Sequence, residues 1–166
     1  MPYAVTHILI PMILVDLVRD HLFKQKRRLL PNKFVLVAGL TGLLPDLDIP
    51  ISYFLLGNLE LHRTITHSIW FPIAFFSLFL FFYFVRRKPF WYKFFLMCFV
   101  GFSIHIILDF YIFGTVSLLF PLTEEVYGLN IFPIEKMYLA YSAIDAILLF
   151  LWLIHEELEH KISAVF

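Results

Sequence analysis

The chain has 166 residues, of which 61% are hydrophobic, 19% aromatic and only 16% charged, with a formal net charge of zero. A water-soluble domain averages about 45–50% apolar and about 25% charged residues, so this composition argues against a soluble fold and for one membrane-embedded domain over 1–166. Lys and Arg gather in short blocks instead of covering a face, which leaves no electrostatic footprint for DNA or RNA, and the single cysteine, Cys98, excludes an intrachain disulfide or a multi-Cys zinc cluster.

Apolar runs fall at about 4–23, 34–57, 68–85, 90–120 and 137–154, predicting an all-α polytopic bundle of about five membrane helices. The N-terminal residues lack the basic region of a secretory signal, so the whole chain reads as mature. The third run is the clearest span, from Ser68 to Val85, with Pro72 confined to its first turn, where a missing N–H is tolerated. After Arg86-Arg87-Lys88-Pro89 the fourth begins with the interfacial set Phe90, Trp91, Tyr92 and Lys93, so the two form a helical hairpin. The segment Leu119 to Pro133 reads as a loop broken by Pro121 and Pro133. Basic blocks at Lys24, Lys26, Arg27, Arg28, Lys33 and at Arg86, Arg87, Lys88, Lys93 are expected on the cytoplasmic side.

An ionisable side chain at membrane depth costs at least about 2.5 kcal/mol and calls for a partner, a cavity or a metal. At 1.5 Å per helical residue, His7 lies roughly 25 Å from Lys24, Asp46 roughly 20 Å from Lys33, and His67 roughly 28 Å from Arg86. His105 and Asp109 lie roughly 18 and 24 Å from Lys93, and Asp145 roughly 24 Å from Lys161. Five alternating segments would therefore carry these groups to one layer, away from the basic side and towards the extracytoplasmic face. Asp16 falls outside that layer and reads as half of an ion pair with Arg19, three residues on. His21, His155 and His160 fall on the basic side and read as surface residues.

Within the layer, His105 and Asp109 share one helical face at an i, i+4 spacing and can reach one cation. Pro45 disfavours helix at Leu44, so Asp46 and Asp48 are expected on an irregular or extended turn. His62 and His67 are five positions apart, too far round for one face. His62 is therefore expected in the incoming loop and His67 in a first helical turn capped by Thr64 or Thr66, with Arg63 free to hold an anionic group. His7 and Asp145 complete a mixed nitrogen and oxygen set that suits two divalent ions, zinc or manganese.

Thr6-His7, Leu44-Pro45-Asp46-Leu47-Asp48, His62-Arg63-x-x-Thr66-His67-Ser68 and His105-x-x-Leu108-Asp109, in that order, resemble the YdjM-like family of membrane-bound metal-dependent hydrolases. Leu118-Leu119-Phe120-Pro121, after Gly114, also looks like a loop of that family. The resemblance implies a distant similarity to the zinc-dependent phospholipase C and P1 nuclease group and its metal site, and hence phosphoester hydrolysis. The free N-terminal amine and early Trp that ligate zinc in that group have no counterpart here, so a third zinc is not implied. On this reading His7, Asp46, His62, His67, His105 and Asp109 hold two Zn2+ (or Mn2+). Asp48 and Asp145 ligate or orient a ligand, and Arg63 steadies the phosphate of a lipid or lipid-linked substrate. The residues alone leave open a non-catalytic metal-binding or transport protein, a structural metal staple, and ester or amide hydrolysis.

Overall fold

The structure is a computed structural model, and it describes residues 4–22, 30–59, 62–129, 131 and 134–160. The basic block Lys24, Lys26, Arg27 and Arg28, Pro133, and Lys161 of the C-terminal tail lie outside the described residues, as does the side chain of His160. The helices are α1 (Ala4–Leu17), α2 (Asn32–Leu43), α3 (Asp48–Leu56), α4 (Trp70–Leu80), α5 (Pro89–Leu108) and α6 (Ile134–His160). A 3-10 turn, Leu44–Leu47, joins α2 to α3 without a break, so the chain forms five helical rods, as the apolar runs predict. Among the described residues there is no strand, only an isolated antiparallel bridge between Val116 and Tyr127.

Two rods are long and apolar enough to cross a bilayer, Asn32–Leu56 with 25 residues and Pro89–Ile112 with 24, while Trp70–Arg86 is shorter. A hydrocarbon core of about 30 Å needs about 20 helical residues, which both longer rods exceed. Three helices run on into π-helical turns, at Val18–Leu22, Phe81–Arg86 and Asp109–Phe113. The helix of the fourth apolar run, expected to continue through Asp109 to Gly114, ends at Phe113, where Gly114 takes φ +146°, a conformation open to glycine.

Glycines set the central packing. A Cβ on Gly39 would strike the Met12 side chain, one on Gly42 the His7 carbonyl, and one on Gly101 Thr41 Oγ1 and the Ala38 carbonyl. Backbones of α1, α2 and α5 thus meet directly, as small residues allow in apolar surroundings where van der Waals contact drives helix association. Pro11 contributes to this approach. It has no N–H for the carbonyl four residues back, that of His7, and this oxygen is the one that faces Gly42. Met12, Val15, Phe34, Val35, Ala38 and Met97 fill the buried core beside this crossing.

The expected hairpin of α4 and α5 is held by rings: Phe71 stacks on Phe102 at 5.4 Å between centroids, Phe76 meets Phe99 at 5.1 Å, and Phe82 stacks on Phe95 at 5.3 Å. Such pairs contribute about 0.5–1.5 kcal/mol each beyond their buried area. Pro72 lies in the first turn of α4, as predicted. Over the end opposite Lys33 and Lys93, the segment after Gly114 folds back as a cap. Ser117 N–H donates to the Arg63 carbonyl at 3.2 Å, Ile69 N–H to the Leu118 carbonyl at 2.9 Å, and Trp70 Nε1 to the Phe120 carbonyl at 2.9 Å.

Candidate metal centre

Beneath that cap, three rods and the loop before α4 bring His7, Asp46, Asp48, His62, His67, His105 and Asp109 together. Two groups have ligand atoms all within 4.8 Å of one another: His7, His105 and Asp109, and Asp46, His62 and His67. Seven of the residues that helical depth assigns to one layer are thus brought together; Asp145 is not among them.

Three of the histidines are held in a common way. The Gly42 carbonyl, which can only accept, lies 2.6 Å from His105 Nδ1, so Nδ1 carries the proton and Nε2 presents its lone pair. His62 Nδ1 lies 2.9 Å from Asp48 Oδ1, and His67 Nδ1 3.3 Å from Asp48 Oδ2. His62 Nε2 is buried with no hydrogen-bond partner. His67 Nε2 lies 3.1 Å from His105 Nε2 and 3.3 Å from Asp109 Oδ2. Fixing one ring nitrogen with a carboxylate or carbonyl, so that the other is bare and aimed, is the arrangement of histidines that ligate metals.

Asp48 spends both oxygens on this task. Oδ2 also accepts from Thr66 Oγ1 at 2.6 Å and from the Arg63 N–H at 3.1 Å. Of the two roles open to it in the sequence, the contacts are those of a residue that orients His62 and His67. The backbone around it differs from expectation. Leu44 keeps αR angles, φ −58° and ψ −38°, and Pro45 is taken into the 3-10 turn, in which a proline near the start sacrifices no N–H bond. His62 is in a loop turn, as predicted, but His67 precedes α4 instead of occupying its first turn, and Thr66 serves Asp48 instead of capping a helix.

Asp109 stands at the start of the π-helical turn, between the groups. Its Oδ1 is 3.2 Å from His7 Nε2, and its Oδ2 is 3.3 Å from Arg63 Nε and 3.8 Å from His105 Nε2. Asp46 Oδ1 is 3.7 Å from both His67 Nε2 and His105 Nε2, so either carboxylate can bridge the two groups. Arg63 has φ +64°, with its guanidinium packed against Gly114 and its side chain 25% exposed. Asp145 stands apart: Thr6 Oγ1 donates to its Oδ1, fastening α6 to α1 one residue before His7. It lies in neither group of candidate ligands.

The lone pair of His105 Nε2 and the carboxylates of Asp46 and Asp109 converge on one buried space, a concentration of electron pairs that calls for positive charge. His67 registers this need. Burial works against its charged form, yet the carboxylates of Asp109 and Asp48 outweigh burial and push its pKa up to about 8. The residues present therefore fit a divalent cation, since the donors are mixed nitrogen and oxygen, buried, and oriented from behind.

A second cluster lies on the basic side and was not anticipated in full. Arg19 pairs with Asp16, as expected, and also with Asp20 at 2.8 Å, while its Nη1 donates to Asn32 Oδ1 at 2.8 Å. His155, expected on the surface, lies 3.3 Å from Asp16 Oδ2. Its sequence neighbours in α6 are acidic and read as a solvated tail, and only the packing of α6 on α1 turns this residue inwards. His21 is exposed, as expected.

Two rods long and apolar enough to cross a bilayer, close helix crossings and buried layers of His, Asp and Arg are features in keeping with a helical membrane protein. The family model described as YdjM inner membrane protein matches residues 1–164, and the chain belongs to that family. No curated protein and no solved structure matches it.

Proposed function

We propose that this protein is a membrane-bound, divalent-metal-dependent hydrolase acting on a phosphoester of a lipid or lipid-linked substrate. The observation that carries the reading is the trio His62, His67 and His105. Each has Nδ1 fixed from behind, and together they converge on Asp46 and Asp109. Two zinc or manganese ions held there would supply Lewis acidity and lower the pKa of a nearby water towards neutrality.

The protein's own groups divide the remaining work. His7, His105 and Asp109 form one binding group, and Asp46, His62 and His67 the other. Asp48 keeps two rings in register. Asp46, whose side chain is 18% exposed, would be the ligand nearest solvent, with Oδ1 towards the His67 and His105 rings. Arg63 is fixed beside Asp109 and reaches towards solvent, where a guanidinium can pair with phosphate oxygens. The flank of the site is apolar: Tyr53, Phe54 and Leu55 on α3 and Leu122 and Val126 in the cap are all exposed, which suits a substrate delivered from the lipid phase. The likeness to the phospholipase C and P1 nuclease group belongs to this proposal, as does an orientation with basic loops cytoplasmic and the metal centre extracytoplasmic.

Purified protein loaded with zinc or manganese should cleave a phospholipid or polyprenyl phosphate, and Asp46→Ala should abolish the cleavage. Absence of cleavage on both substrate classes, or an Asp46→Ala protein as active as the parent, overturns the reading. The competing reading is a metal carrier. A carrier needs ligands opening on both faces, and at the basic end Arg19 already provides the cation among Asp16 and Asp20. Metal flux in proteoliposomes tests that alternative, and none is expected.

A further inference from the structure

On the flank of the bundle between α1 and α5 lies a groove of about 480 Å³, well away from the cap. Leu14 and Val18 form one wall, Leu96, Val100 and Ile104 the other, and Val15 and Met97 the floor. Every one of these side chains is hydrocarbon or thioether. The exception is Lys93, which closes one end.

Two features of this groove specify its occupant. From Lys93 to Ile104 is roughly 16 Å at 1.5 Å per residue, about half of a hydrocarbon core of about 30 Å, and hence the depth of one leaflet. Lys93 stands where a headgroup would, in the first turns of α5. Its Nζ lies 6.0 Å from the Tyr92 ring, and among the described residues no carboxylate pairs with it. Lys33 is at the same end, with its Nζ 5.3 Å from the Phe90 ring. The Lys93 stem closes the end of the slot where α5 begins, and a slot one leaflet deep with a lysine at that end matches an acyl chain carrying a negative headgroup.

We infer that the α1–α5 groove is a binding site for an anionic phospholipid, with one acyl chain in the slot and the headgroup phosphate on Lys93. The site is separate from the metal centre and does not depend on hydrolysis. The lipid would seal the flank of α1, the helix that supplies both His7 and the Arg19 cluster.

Native mass spectrometry of the full, detergent-purified chain tests this with phosphatidylglycerol and phosphatidylethanolamine of matched acyl chains. A membrane-surface lysine favours an anionic lipid by a factor of about five, which is the preference expected for phosphatidylglycerol. Lys93→Gln should bring the two lipids to equal retention. Leu14→Trp, at an exposed rim position, should fill the slot and lower retention of both, with Leu96→Trp on the opposite wall as a second filling variant and circular dichroism reporting the fold. Equal retention of the two lipids by the parent protein, an unchanged preference in Lys93→Gln, or full retention in a folded filling variant each overturns the inference. So does a dimer that both filling variants dissociate, since the occupant would then be a second copy of the chain.

Discussion

The bundle contains two buried sets of Asp and His, one at each end of α1, and they differ in what sits at the centre. Near the basic end, Asp16 and Asp20 surround the Arg19 guanidinium, Asn32 takes another of its N–H groups, and His155 approaches from α6. Beneath the cap, His7, His62, His67 and His105 surround Asp46 and Asp109, and the one arginine, Arg63, lies at the edge, partly exposed. At the basic end the acidic side chains close round a guanidinium of the protein; beneath the cap they face imidazole rings, and Arg63 reaches Asp109 Oδ2 at 3.3 Å from the edge. Ligand-type residues alone do not define a candidate metal centre; whether a guanidinium sits at the centre of the carboxylates or at their edge separates the two sets.

Substitutions at the two ends should separate these roles, and the largest effect is expected at Asp109. Asp109→Ala removes the carboxylate shared by both groups, and metal analysis of the purified protein should fall from about two ions per chain to near none. Helical content should survive, which distinguishes a catalytic centre from a structural staple. Arg19→Met should do the reverse: metal content is retained, while buried Asp16 and Asp20 lose their counter-charge at about 3–5 kcal/mol, seen as a lower melting temperature in detergent. Metal loss in Arg19→Met would dissolve the contrast between the ends.

Asp48→Asn sharpens the assignment inside the centre. Loss of a carboxylate that orients ligands lowers metal affinity by about 10–100-fold without removing a ligand, so competition with a chelator should show weakened binding at near-normal stoichiometry. The smallest effect is expected at Thr6→Val, which leaves Asp145 without its donor and costs about 1–3 kcal/mol in stability, with metal binding unchanged. Reduced metal content in that variant would bring Asp145 back among the ligands.

Much of this centre was legible in the sequence, because helical rise converts position into depth and depth alone places His7, Asp46, His67, His105 and Asp109 in one layer. The i, i+4 pair of His105 and Asp109 also shows its face directly. What depth cannot supply is rotation and neighbourhood. Asp48 and Asp46 are two residues apart at similar depth, and only the path of the loop through His62 and Thr66 shows one holding the rings and the other facing the bare nitrogens. Asp145 lies at the right height on α6, but Thr6 intercepts it. His155 was misjudged for the complementary reason, since an acidic stretch near a helix end looks solvated until a neighbouring helix covers it. The 3-10 path at Leu44–Leu47 was hidden because the bias against helix before proline is a tendency that continuity of the rod overrides.

Gly42 ties helix assembly to acid–base chemistry. Its missing side chain admits the His7 carbonyl of α1, while its own carbonyl fixes the proton on His105 of α5. Any shift in how these rods cross would be felt at the hydrogen bond that sets the tautomer of His105, so the direction in which its Nε2 lone pair points is set when the three rods lock together.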